Sequence, residues 1–129
     1  MTVANAHGGT VHSLKTKITT PLFEETKDFY RSLLGLVAIE EWDEGDDVGC
    51  IMGLAGKGGE AFLEIYRGNQ RHDFAGLSLQ FHTPDIAAFE ASVRGRVSYQ
   101  GPTKRPWGNT YLYFTDPNRI SVIVFDGGN

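Results

Sequence analysis

The chain carries an internal repeat, and this repeat constrains the fold more than any other feature of the sequence. The segment "KTKITTP" at 15–21 resembles "SLQFHTP" at 78–84, and "AFLEIYR" at 61–67 resembles "ISVIVFD" at 120–126. All four segments alternate apolar and polar residues, a pattern typical of strands with one buried face. Two similar units, each opening and closing with a strand, are therefore expected to share one core.

A helix is expected directly after the opening strand of each unit. Thr20-Pro21 and Thr83-Pro84 occupy matching places in the repeat. Threonine is a common N-cap, and proline suits the first helical position, where its missing N–H is not needed. Apolar residues then follow at helical spacing up to Gly35 in the first unit and Gly95 in the second.

Each unit also holds two further strand candidates between its helix and its closing strand. They are 36–44 and 47–54 in the first unit, and 96–100 and 107–114 in the second. The predicted class is α+β, with two βαβββ modules in one structural domain. We expect a flexible tail at 1–10, modules at 11–67 and 77–129, and a polar hinge at 68–76.

The alternation also predicts which side chains face away from the helices. In the strand around 78–82, Leu79 and Phe81 are expected to cover the helix, which turns the polar residues of that strand the other way. The same reasoning, carried across the repeat, turns the following residues away from the helices: Lys15, Lys17, Phe62, Glu64, Tyr66, Ser78, Gln80, His82, Asn109, Tyr111, Tyr113, Ser121, Ile123 and Phe125. Trp107 is placed on the same strand as Tyr111, and Trp42 joins this set in one of two registers.

Composition excludes several classes of protein. The formal net charge is −4, and lysine and arginine are scattered rather than clustered, which argues against a nucleic-acid partner. The single cysteine, Cys50, rules out a disulfide within the chain. No apolar run reaches the length of a membrane span, and no signal peptide is recognisable. We expect a cytoplasmic protein.

Two motifs, "DFYRSLLGL" at 28–36 and "PWGNTYLYFTDPNRISVIV" at 106–124, together with the repeat, resemble the vicinal oxygen chelate superfamily. This superfamily includes glyoxalase I, extradiol dioxygenases, and fosfomycin- and bleomycin-resistance proteins. The resemblance implies that the two modules pair their sheets into a cup with the helices outside and a ligand inside. It also implies a homodimer. In the turn at 116–118 the family usually continues with glycine, but Arg119 stands here, so Asn118 can take the positive φ instead.

Metal-dependent members of the superfamily take ligands from positions that match Lys15, Glu64, Ser78 and Ile123. Only Glu64 suits a metal, because a divalent ion needs several converging nitrogen or anionic oxygen donors. We expect no metal and no cofactor. Lys15 can meet Glu64 across the floor of the cup and supply the positive charge, or it can extend to the rim and leave Glu64 partly solvated.

The favoured function is binding of a small aromatic or amphipathic molecule in the cup, for example to sequester a drug. Acidic residues at 41, 43 and 64 favour a cationic ligand. The residues expected to bind are Phe62, Glu64, Tyr66, Ser78, Gln80, Trp107, Asn109, Tyr111, Tyr113 and Ile123.

Two alternatives stay open, and with them whether the protein is an enzyme. The first is a metal-independent lyase or isomerase, with Lys15, Glu64 or His82 transferring a proton. His82 can equally end its strand by bonding to backbone groups. The second is a regulatory or partner-binding module, in which the protein's own side chains fill the cup.

Overall fold

The structure of the protein is a computed structural model, which describes residues 9–54 and 60–127. Most of the predicted tail, residues 1–8, lies outside the described residues. The elements follow the predicted order of strand, helix and three strands, twice. The first module contains β1 (Leu14–Thr20), α1 (Phe23–Ser32), β2 (Val37–Glu44), β3 (Asp47–Gly53) and β4 (Ala61–Arg67). The second contains β5 (Ser78–His82), α2 (Ile86–Val93), β6 (Gln100–Lys104), β7 (Thr110–Thr115) and β8 (Ser121–Phe125).

Each module forms one four-stranded mixed sheet. The strand order is β1-β4-β3-β2 in the first sheet and β5-β8-β7-β6 in the second. In both, the opening and closing strands run parallel and the other pairs run antiparallel. The predicted α+β class and the pair of βαβββ modules are confirmed.

The two faces of each sheet differ in character. The face that packs toward the helices, here called the helix face, carries buried residues such as Ile65 in β4 and Val124 in β8. The opposite face, here called the open face, carries partly or fully exposed residues such as Lys17 in β1 and Tyr113 in β7. Because side chains alternate along a strand, the register fixes both faces at once.

The helix faces of both modules contribute to a single buried cluster. Tyr30 of α1 is fully buried within it, and its ring lies 6.4 Å from that of Phe81 in β5. The Tyr30 hydroxyl donates a hydrogen bond of 2.8 Å to Asp116, in the turn between β7 and β8. Helix α1 therefore joins the modules through both apolar packing and a buried polar contact.

Both helices begin two residues after the proline that was predicted to open them, Pro21 or Pro84. Helix α1 begins at Phe23, and the Thr20 hydroxyl accepts a hydrogen bond from the Leu22 amide just before it. Helix α2 begins at Ile86, with Asp85 as its N-cap accepting from the Ala88 amide. The predicted N-caps were wrong: the Thr20 hydroxyl donates to Asn118 in the other module, and Asp85 rather than Thr83 caps α2.

Three details of the second module also differ from the expectation. The strand predicted at 96–100 begins only at Gln100, where the ladder with β7 starts. Trp107 lies in the turn before β7, next to Gly108 with φ 100°, and not on the strand. In the turn after β7, Arg119 itself has the positive φ, 66°, which we expected of Asn118.

Candidate functional site

Four aromatic side chains cover part of the open face of the second module, and we call them the aromatic surface: Trp107, Tyr111, Tyr113 and Phe125. The Tyr111 ring stacks nearly parallel to its neighbours, with centroids 6.1 Å from Tyr113 and 5.7 Å from Phe125. Trp107 meets Tyr111 edge to face at 6.3 Å, and its indole N–H lies 3.3 Å from the Tyr111 hydroxyl. The result is a continuous aromatic wall that stays partly accessible to solvent.

The strand register explains why these rings meet. Tyr111 pairs with Phe125, and Tyr113 pairs with Ile123, across the antiparallel β7–β8 ladder. Directly opposed side chains on one face of a sheet are close enough for aromatic contact. Trp107 contacts Tyr111 from the turn before β7. The Arg105 guanidinium lies over the Trp107 ring, 5.0 Å from its centroid. Trp107 remains 62% exposed.

A charged cluster occupies the open face of the first module. The two Glu64 carboxylate oxygens lie 3.4 Å from Lys15 Nζ and 3.8 Å from Lys17 Nζ. Glu64 is only 8% exposed, whereas both lysine side chains are about half exposed. Lys17 also lies over the Tyr66 ring, 4.5 Å from its centroid. Of the two arrangements predicted for Lys15, the one beside Glu64 is present, and Lys17 is an additional partner.

The acidic residues of this open face are not the ones that were expected. Glu41 and Asp43 alternate onto the helix side of β2, and Glu41 pairs there with Lys27 of α1. The hydrogen bond from Lys27 lowers the pKa of Glu41. Two ammonium groups and one carboxylate give the charged cluster itself a net positive charge. The strand pairing places three further carboxylates, those of Glu40, Glu44 and Asp47, on the outer part of the same open face.

The outer part of the same open face carries a second aromatic group. Trp42 takes the register that turns it onto this face, and its ring covers Gly49, where any Cβ would collide with it. The Trp42 indole N–H donates to Asp47 at 2.8 Å. A hydrogen bond with the same carboxylate raises the pKa of Tyr66. Asp47 was missed in the sequence because its role depends on the pairing of three strands.

The predicted binding residue Asn109 and the catalytic candidate His82 are placed differently. Asn109 is only 8% exposed and packs against Gly127, so its amide belongs to the interior at the end of β7. His82 is exposed, and its Nε2 lies 3.0 Å from the Gly127 carbonyl oxygen. This contact matches the backbone-binding alternative for His82. Phe125 packs edge to face on the same imidazole at 5.3 Å, which places His82 beside the aromatic surface.

Two well-formed cavities among the described residues lie outside the aromatic surface. One, of about 360 Å³, lies between β5 and one end of the first sheet, and includes Phe62, Ser78, Gln80 and His82 in its lining. The other, of about 450 Å³, lies at the hinge. The predicted binding residues are therefore split between the smaller cavity and the two open faces.

The donor set does not suit a divalent metal. Of the four positions that match the metal ligands of the superfamily, Lys15 carries an ammonium group, Ile123 has no donor atom, and Ser78 is a weak donor. Glu64 already faces two ammonium groups. Within residues 9–54 and 60–127, no three His, Cys, Asp or Glu side chains come together in a way that could hold an ion.

A family model described as Glyoxalase/Bleomycin resistance protein/Dioxygenase superfamily matches residues 12–124. The chain belongs to this superfamily. Membership agrees with the repeat, with the paired modules and with the sequence-based resemblance. No curated protein sequence matches the chain. In the described part of the chain, no helix is long and apolar enough to cross a membrane.

Several solved structures share the superfamily fold with this chain. TnmS3, an antibiotic binding protein from Streptomyces sp. CB03234, has a TM-score of 0.74 and 22% identity, covering 95% of this chain and 100% of TnmS3. A glyoxalase/bleomycin resistance protein from the same organism has a TM-score of 0.67 and 22% identity, over 87% and 97% of the two chains. Lactoylglutathione lyase from Agrobacterium tumefaciens has a TM-score of 0.64 and 19% identity, over 88% and 92%.

Proposed function

We propose that this superfamily member binds a small aromatic or amphipathic molecule on the aromatic surface, without a metal. The observation that carries the proposal is the stacking of Tyr111 with Tyr113 and Phe125, which leaves a flat wall of rings partly open to solvent. Planar ligands bind well to such walls, and a few nearby polar groups set their orientation. Sequestration of a drug-like compound is one use of such a site.

The contrast between the two faces of β7 supports a binding role over a core role. Leu112 and Phe114 point to the helix face and are almost completely buried. Tyr111 and Tyr113, on the other face of the same strand, keep part of their surface accessible. The core of this module is thus complete on one side, and the aromatic surface lies outside it. The fold shared with the antibiotic binding protein TnmS3 is consistent with this reading.

We further propose that the protein is a homodimer in which the open face of one module covers that of another. The open faces carry Trp107 and a half-exposed pair of lysines, groups that a second surface would shield from water. In such a pairing the aromatic surface would hold the apolar part of the ligand. The net positive charge around Lys15 and Lys17 would favour a ligand that is uncharged or anionic at its other end.

The proposal is tested by dye binding to matched variants. The probes are 8-anilinonaphthalene-1-sulfonate, which is aromatic and anionic, and thioflavin T, which is aromatic and cationic. We expect the anionic dye to bind more tightly, and Tyr111→Ala and Trp107→Ala to weaken it about tenfold or more, as for aromatic anchors at interfaces. Both variants should keep nearly the wild-type melting temperature, because a surface wall loses few packing contacts.

The matched control is Tyr99→Ala. Tyr99 packs on Phe114 at 5.3 Å from the helix side and donates to Glu90 at 2.9 Å. This variant should lose stability, by about 2 kcal/mol or more for a truncated, partly buried aromatic, and keep its dye affinity. The proposal fails if Tyr111→Ala destabilises the protein as much as Tyr99→Ala does, or if it leaves dye binding unchanged.

A metal-independent lyase or isomerase is the second candidate, and the position of Glu64 favours it. A nearly buried carboxylate beside two ammonium groups can accept a proton from a bound molecule or return one to it. Any compound that stays bound through purification can be incubated with the protein in D₂O. Deuterium uptake at carbon that is lost in Glu64→Gln, with binding retained, would favour catalysis; no uptake by the wild type would favour simple binding.

A further inference from the structure

The larger of the two cavities lies at the hinge between the modules, away from the aromatic surface. Its volume is about 450 Å³, and its walls come from the end of β1, the hinge at 71–75, and the turn before β8. Arg71 of the hinge and Arg119 of the turn both line it. The cavity thus brings together two arginines, one from the hinge and one from the second module.

Neither arginine side chain forms an ion pair or a hydrogen bond with the described part of the protein. Among the described residues, the ion pairs all involve basic residues other than Arg71 and Arg119, and neither of these guanidinium groups has a hydrogen-bond partner. The arginines are therefore available for a ligand. The one carboxylate in the lining, Asp73, is turned into its own loop, where it accepts a hydrogen bond from the Ala75 amide at 2.9 Å. With one carboxylate against two guanidiniums, the cavity keeps a net positive charge.

The backbone conformation of Arg119 also points to a binding role for this residue. Its φ of 66° lies in the left-handed region, which glycine adopts without steric penalty and arginine does not. A strained residue persists where the surroundings hold it, and such residues concentrate at binding and catalytic sites. The turn is held from inside by Asp116, which accepts hydrogen bonds from the Asn118 and Ile120 amides. Arginine therefore occupies a position where glycine would have less backbone strain, and this arginine lines the cavity.

We propose that the hinge cavity binds the phosphate group of a small phosphate monoester. Guanidinium groups match the geometry of phosphate oxygens and bind them with paired, charge-assisted hydrogen bonds. The imidazole of His72 can add a further donor, and Phe74 and Pro21 supply apolar lining for the organic part of the ligand. The cavity is larger than a free phosphate ion, so it has room for the organic group of an ester as well.

The test measures melting temperature against concentration of phenyl phosphate, inorganic phosphate and chloride, all at one ionic strength. A ligand that binds only the folded state raises the melting temperature in a saturable way. We expect saturable stabilisation by phenyl phosphate, weaker stabilisation by inorganic phosphate, and none by chloride. Equal or tighter binding of inorganic phosphate would overturn the choice of an ester, and an equal response to chloride would overturn the site.

The decisive variant is Arg119→Gly. It removes the guanidinium and relieves the positive φ together, so its melting temperature in chloride should equal or exceed that of the wild type. Its affinity for phenyl phosphate, however, should fall at least tenfold, and Arg71→Gln should show a similar loss. Arg31→Gln is the control, because Arg31 is exposed on α1 and pairs with Asp28 at 3.3 Å, outside the cavity lining. Unchanged phenyl phosphate binding in both cavity variants would refute the proposal.

Discussion

Removing the Tyr30 hydroxyl should destabilise the protein at neutral pH and stop doing so in alkali. The hydroxyl is fully buried and donates to the carboxylate of Asp116, which is 4% exposed, at 2.8 Å. A hydrogen bond to a charged group contributes about 1.5–3 kcal/mol, so Tyr30→Phe should lower the free energy of unfolding by about 2 kcal/mol at pH 7. Asp116 keeps its two backbone donors, which limits the loss.

The pH dependence follows from the environment of the same hydroxyl. Burial, followed by the negative charge of Asp116, raises the pKa of Tyr30 far above its ordinary value. Above about pH 10, Tyr30 loses its proton in the unfolded chain and keeps it in the folded one, so stability falls as pH rises. The slope for one such group is about 1.4 kcal/mol per pH unit. The difference between wild type and Tyr30→Phe should therefore disappear about one to two pH units above 10.

Urea unfolding followed by circular dichroism between pH 7 and 11.5 measures this difference. Tyr99→Phe is the control, because Tyr99 donates to Glu90 at 2.9 Å in a less buried place and should lose less than about 1 kcal/mol. A constant difference between wild type and Tyr30→Phe across the whole pH range would refute the reasoning. So would a loss at pH 7 no larger than that of the control.

Three further predictions concern the thiol, the metal and the assembly. Burial raises the pKa of the Cys50 thiol, so a thiol reagent should modify the folded protein at least about tenfold more slowly than the urea-unfolded chain; equal rates would mean that Cys50 is accessible. EDTA should leave the melting temperature unchanged, because Glu64 is neutralised by Lys15 and Lys17 rather than by an ion; a fall that added zinc or manganese reverses would contradict this. Light scattering at micromolar concentration should give twice the mass of one chain, and a monomer at every concentration would count against the proposed dimer.

The elements and faces could be predicted from the sequence because they depend on local periodicity. Alternation along 61–67 and 120–126 identified the closing strands and the residues on their open faces. Side chains alternate along a strand regardless of which strand it pairs with. Trp107 was assigned to a strand because periodicity cannot reveal that Gly108 has a positive φ and extends the turn. The start of β6 was missed because its ladder with β7 begins only at Gln100, and pairing between strands is not visible in local periodicity.

The arrangement of charges could be predicted only in part. Lys15 and Glu64 were paired by analogy, but the second partner, Lys17, depends on the parallel register that sets Lys17 directly beside Glu64. Glu41 was expected near the ligand, but it lies on the helix face. A shift of one residue in the register of β2 moves its side chains to the other face, and β2 has such an irregularity between Ala38 and Glu40. The hinge cavity could not be predicted, since its walls are brought together only by the packing of the modules.

The buried contact between Tyr30 and Asp116 makes the two halves of the repeat unequal. In the repeat, the place of Tyr30 is taken by Val93, which has no hydroxyl, and the place of Thr26, which accepts a hydrogen bond from Asn118 at 2.9 Å, is taken by Phe89. A tandem of two second modules would therefore bury the Asp116 carboxylate against Val93 and Phe89, whose side chains have no hydrogen-bond donor. If the chain arose by duplication, its halves have since diverged: the first module supplies the hydroxyls of Tyr30, Thr20 and Thr26, and the second supplies the Asp116 and Asn118 side chains that bond to them.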